Sequence, residues 1–216
     1  MKTRALSAPN TRTRIALGVL ALALAMTLWL GIFAADAQAK TLRLDGVRTT
    51  LVTDPGTTTL LFSVGIIPLP IFPTPITPTA DAAKYSFPVT GGAVDSKTLA
   101  GIIRHSGGLL LADRNDDNSW TALSLAKFNI RIDAAPDLTA VVNGAARASI
   151  ANLDLSAAEI TKYTKNGRSF IKIANVGVTL NKTATDAIEA TFLGGADALP
   201  DDVPLGTATV LARVAR

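Results

Sequence analysis

Between Thr121 and Asp133 the apolar residues fall on every second position, and half-way along the parity changes. Leu123 and Leu125 hold one parity; Phe128, Ile130 and Ile132 hold the other. Successive side chains of a strand point to opposite faces. Such a change therefore keeps one face apolar only where an extra residue bulges out, here near Ala126-Lys127. The same shift recurs twice. Ile150 gives way to Leu153 and Leu155, and Ile171 and Ile173 give way to Val176, Val178 and Leu180. Long strands that bend in this way predict an all-β antiparallel fold, a β-sandwich or a barrel-like pair of sheets, rather than a flat sheet. Gly91-Gly92, Ser106-Gly107-Gly108, Asn115 to Ser119, Asn143-Gly144 and Asn166-Gly167 mark the turns between strands. The two Asn-Gly pairs tolerate positive φ and are predicted tight hairpins.

Two short segments read as helices. Pro55 to Val64 follows Asp54, a cap residue placed before a proline at the first helical position. Thr183 to Phe192 carries Ala187, Ile188 and Phe192 on one side and Glu189 facing away. Both helices follow a Thr-Leu pair and stop at a glycine, Gly65 and Gly194, which predicts a pseudo-repeat closing the two ends of the sandwich. Residues 66–78 interleave Pro68, Pro70, Pro73, Pro75 and Pro78 with Ile67, Leu69, Ile71, Phe72 and Ile76. Proline at this spacing favours extended backbone and cannot donate to a central ladder. The segment reads as a cover or edge that blocks association between sheets, or as an apolar flap beside a ligand pocket. In either reading its apolar side chains are expected to be at least partly packed.

The N-terminus fixes the expected compartment. Lys2, Arg4, Arg12 and Arg14 precede 21 uncharged residues, Ile15 to Ala35, and then Ala37-Gln38-Ala39. Basic, apolar and small in that order predict a signal peptide over residues 1–39 and a secreted or cell-envelope protein. The alternative is an uncleaved anchor helix over 15–35, since 21 apolar residues can span a membrane. The remaining residues, 40–216, are read as one domain. They hold 17 basic and 16 acidic side chains, because four of the 21 basic and one of the 17 acidic residues lie in the leader. A net charge of +1 gives no electrostatic case for nucleic acid, and contact with a membrane is expected only through the leader. With no cysteine there is no disulfide framework, so the core alone must supply stability.

No catalytic constellation is present: there is no Gly-x-Ser-x-Gly elbow and no phosphate-cradling glycine loop. The chain is therefore read as a non-enzyme, with no catalytic residue and no metal site. Asp113, Asn115, Asp116, Asp117 and Asn118 crowd one turn but lack the spacing of a calcium loop, and read as a solvated hairpin. His105 is the single histidine, in Gly101-Ile102-Ile103-Arg104-His105-Ser106-Gly107-Gly108-Leu109.

That stretch resembles the Gly-x-hydrophobic-x-His-x-Gly-x-Leu pattern of the HtaA domain, a family of secreted or envelope-bound actinobacterial proteins linked to haem uptake. Phe87-Pro88-Val89-Thr90-Gly91-Gly92 with Asp95 is similar on the upstream side. Phe128-Asn129-Ile130-Arg131-Ile132 with Leu138-Thr139-Ala140-Val141 is similar downstream, so the resemblance covers about residues 84–155. It implies an all-β sandwich with small helices. It also implies haem held by an axial tyrosine from an aromatic-rich segment before the motif, with a histidine in support. Here residues 41–79 contain neither Tyr nor Trp. His105 carries over as a supporting donor, while Tyr85 and Tyr163 are the tyrosines that could join it in a ligand site. The expected function is binding without a resident cofactor. The ligand is a small apolar molecule, an envelope component such as a glycan, or another protein. Haem capture and a structural envelope module anchored by the leader are the alternatives.

Overall fold

The computed structural model describes residues 40–79 and 81–216. The expected leader, with its apolar run 15–35, lies outside the described residues. Twelve strands and two helices follow one another: β1 (Thr41–Thr53), α1 (Pro55–Ser63), β2 (Ile67–Ile71), β3 (Ile76–Pro78), β4 (Ala83–Asp95), β5 (Gly101–His105), β6 (Gly108–Arg114), β7 (Trp120–Ile132), β8 (Asp137–Val142), β9 (Arg147–Asp154), β10 (Glu159–Lys165), β11 (Arg168–Leu180), α2 (Lys182–Phe192) and β12 (Val203–Val214). Eight of these strands close on themselves in the order β7-β5-β4-β1-β12-β11-β9-β8, with β8 returning to β7. All the pairings are antiparallel. The bent strands thus form a barrel, the second of the two expected arrangements. A closed ring pairs every strand edge within it.

The bends fall where the parity changes predict them. The β7–β8 ladder slips between Ala126 and Asn129, where Lys127 takes φ 53°. The β11–β12 ladder slips between Ile173 and Val176, beside Asn175 at φ 59°. The β8–β9 ladder slips at Ile150. Each extra residue returns the apolar side chains to the barrel interior, which is why Leu125 and Phe128, or Ile173 and Val176, are buried together.

The two strand–helix units do recur, but not at opposite ends. Asp54 and Asn181 cap their helices by accepting from the Thr57 and Ala184 amides, and Gly65 and Gly194 adopt left-handed backbone beyond the helix ends. The two ends of the molecule are not capped in turn, as the repeat predicted. Both β1 and β11 run antiparallel to β12, lying on its two sides, so both helices emerge at the same end of the barrel.

At the far end β5 links β7 to β4. At the helical end β5 has stopped at His105, and the space between β7 and β4 is filled differently. There β6 pairs with β7 and β2 with β6, while β3 pairs with β4. The barrel wall is therefore wider at the helical end. No ladder joins β2 to β3 among the described residues. Ile67, Leu69 and Ile71 can bond β6, which leaves Pro68 and Pro70 on the outer edge without an N–H to give. The seam is bridged instead by the Tyr85 hydroxyl, which donates to the Pro68 carbonyl at 2.9 Å. Thr74 is buried here, but Phe72 at the tip is 92% exposed, against the expectation that the segment's apolar side chains pack.

Candidate functional site

The interior of the helical end is not filled. Alternate residues of β1 and β4, namely Thr49, Leu51 and Thr53, and Tyr85 and Phe87, face a cavity of about 80 Å³. Leu125, Phe128 and Ile130 of β7, Ile150 of β9, Val176 and Val178 of β11, Ala208 of β12 and Ile188 of α2 are among the other residues of its wall. A water needs on the order of 10–15 Å³ by this measure, so roughly six waters' worth of space is enclosed. The lining gives water little to hold. Every buried side-chain nitrogen and oxygen among the described residues already has a protein partner. An apolar void with satisfied polar groups stays dry.

His105 sits in this wall at 4% exposure. Its Nε2 lies 2.7 Å from Thr49 Oγ1 and its Nδ1 lies 3.2 Å from the Phe128 carbonyl oxygen. The tautomer that satisfies both donates from Nδ1 to the carbonyl and accepts the threonine hydroxyl at Nε2. Burial pushes the imidazole pKa down to about 4, only partly opposed by the Phe128 carbonyl, so the ring is neutral. Both ring nitrogens are thus engaged within the protein.

The Ser106-Gly107-Gly108 turn next to it is set by backbone space. A Cβ on Gly107, at φ +77°, would fall 2.1 Å from Thr74 Oγ1, and one on Gly108 would fall 2.2 Å from the Leu125 carbonyl oxygen. Thr74 Oγ1 accepts from the Gly108 amide at 3.0 Å, so the two glycines let the proline-bearing segment dock against the β5–β6 turn.

Tyr85 shares the cavity with His105 and is 1% exposed. Burial raises its pKa, which keeps the phenol protonated and donating to Pro68. Phe87 lines the same cavity, 6.4 Å from the Tyr85 ring and edge-on to Phe128 at 5.0 Å. Tyr163 is elsewhere. It lies on β10, an outer strand paired only with β11, and stacks on Phe170 at 5.4 Å. The structure therefore brings two of the three residues singled out in the sequence to one cavity. Thr49, the hydroxyl that completes the His105 pair, was not singled out. Its odd-numbered register with Leu51 and Thr53 was the available signal. In the acidic turn, Asp117 accepts from the Ser119 amide and Asn118 from Arg114, as in an ordinary hairpin loop.

Two solved structures are similar to this chain. The crystal structure of the C-terminal domain of HtaA from Corynebacterium glutamicum superposes with a TM-score of 0.52 at 14% identity, covering 81% of this chain and 99% of that domain. The chain has an HtaA-like fold. The heme binding protein HtaB from Corynebacterium glutamicum matches with a TM-score of 0.49 at 12% identity, over 82% of this chain and 98% of that one. No protein-family model matches the sequence. No curated protein matches it either. The HtaA-like barrel thus supplies the scaffold, and what it does must be argued from its interior.

Proposed function

We propose that this is an exported, non-catalytic binding protein of the cell envelope that holds a small apolar molecule inside its HtaA-like barrel. The supporting observation is the apolar cavity lined by Thr49, Tyr85, His105 and Phe128. An empty apolar space forfeits dispersion contacts and costs stability in proportion to its size, a cost that an apolar ligand would reverse. The leader sequence supports export, and the interior offers no pair of titratable groups poised for acid–base work. Native mass spectrometry on the chain purified from its own cells tests this. A co-purifying uncharged species of a few hundred daltons or less is expected. A bare protein that also fails to bind any member of an apolar fragment set would refute it.

Haem capture is the second reading, favoured by Tyr85 and His105 facing one cavity. The residues fit it poorly. The space is too small for a porphyrin, the Tyr85 oxygen is committed to Pro68, and burial opposes the phenolate that iron would require. Titration with haemin distinguishes the readings. Under the present one no sharpened Soret band forms, and Tyr85→Phe leaves the absorbance unchanged.

A further inference from the structure

A second apolar concavity borders the first. It is a groove of about 380 Å³ between the first turns of α2 and the β8–β9 hairpin. Thr183, Ala184 and Ala187 form the helical side, and Ala146 and Ala148 lie on the hairpin side. Three residues, Leu125, Ile150 and Ile188, line both the groove and the internal cavity. They come from β7, β9 and α2, so these three side chains border both spaces. The small side chains around them are what keep the groove open. A side chain as large as tryptophan at position 187, or phenylalanine at 148, would obstruct it.

We propose that groove and cavity are two parts of one elongated site, reached beside α2, that takes an unbranched, uncharged apolar chain. This rests on the reading of the barrel as a binder of apolar molecules and specifies the shape and charge of its ligand. The groove commits to the distal part of that same ligand because it is continuous with the cavity through the three shared side chains. No charged residue lines it, and its polar members are Thr183 and Asn143. Asn143 Oδ1 already accepts from the Ser124 amide. A carboxylate or phosphate would find no cation to offset its desolvation, so anionic lipids are selected against. Displacement of Ile188, buried midway along α2, opens the route without breaking any strand pairing, since the helix takes no part in the ladders.

Displacement of N-phenyl-1-naphthylamine from the full chain by straight-chain alcohols from hexanol to dodecanol tests this. Affinity should rise by up to about fourfold per added methylene, the gain for burying one CH₂, and should continue to rise after the cavity alone is full. In Ala187→Trp the short alcohols should bind as before while the rise stops early. Ala148→Phe, which fills the groove from the opposite wall, should do the same. Equal slopes in the native chain and both variants would overturn the two-part site and leave the binding reading intact. Loss of hexanol binding in both variants would overturn it too, because groove and cavity would then not be separate compartments. Failure of every alcohol to displace the probe from the native chain would refute the binding reading itself. Tight binding of dodecanoate equal to that of dodecanol would refute the selection for an uncharged chain.

Discussion

The two halves of the barrel interior share strands β1, β4, β11 and β12 yet differ in how well they are filled. Toward the β4–β5 turn, Leu44, Val94, Leu99, Ile103, Ile171, Ile173, Val210 and Ala212 leave about 10 Å³, no more than one water would need. Toward the helices the void is about 80 Å³. The difference follows from the wall. One strand, β5, spans the gap between β7 and β4 in the filled half, whereas β6, β2 and β3 span it in the other. A wider ring of strands lined by side chains of the same size encloses more space than they can occupy. Stability is thus concentrated in one half, and the other half is free to accept something else.

Equal truncations in the two halves should reveal this asymmetry most strongly. Ile173→Ala, in the filled half, should cost about 4 kcal/mol, and Ile130→Ala, on the cavity, about 2 kcal/mol, because fewer contacts surround it. Urea unfolding of both variants measures the contrast, and equal losses would break it.

The cavity half carries the pH response of the single histidine. Since His105 titrates at about 4 when folded and near 6.5 when unfolded, the unfolded chain binds its proton first as pH falls. The neutral ring's contribution is complete above about 6.5 and is lost progressively down to about 4. Between pH 7 and 4.5 this amounts to about 2–3 kcal/mol. His105→Gln should remove that part of the pH dependence, measured by urea unfolding at the two pH values. With only one histidine in the chain, a single imidazole resonance reports the same titration.

Enlarging side chains should act with opposite sign. Ala208 and Ala212 are both buried on β12, four residues apart, one lining the cavity and the other the filled half. Ala212→Leu should overpack and cost about 2 kcal/mol. Ala208→Leu should stabilise by about 1 kcal/mol, and it should also weaken probe binding. Thermal unfolding checks the first pair of signs. Smallest is Tyr85→Phe, which removes one hydrogen bond to the Pro68 carbonyl and should cost about 1 kcal/mol in urea.

Much of the architecture was legible in the sequence because it is written in local alternation. The parity changes at Ala126-Lys127 and between Ile173 and Val176 gave the bulges, and Asp54-Pro55 gave the start of α1. What alternation cannot encode is which strands meet. The closure of the ring through β1 and β12, and with it the emergence of both helices at one end, depends on a pairing more than a hundred residues apart. The site was partly readable for the same reason. His105 and Tyr85 carry recognisable chemistry, whereas the void beside them is a property of ring width. Thr49 looks like any other strand threonine until the ring places it against the imidazole.

The seam between β2 and β3 carries a consequence for how the molecule breathes. Each strand of the eight-membered ring is paired on both sides, so the deuterium uptake of its ladder amides must await disruption of the barrel. Those of Ile67, Leu69 and Ile71 hang on one neighbour, β6, and on a single phenol across the gap. This panel can swing outward and reseal while the ring stays shut, and its protons should exchange with solvent long before those of β1, β12 or β11.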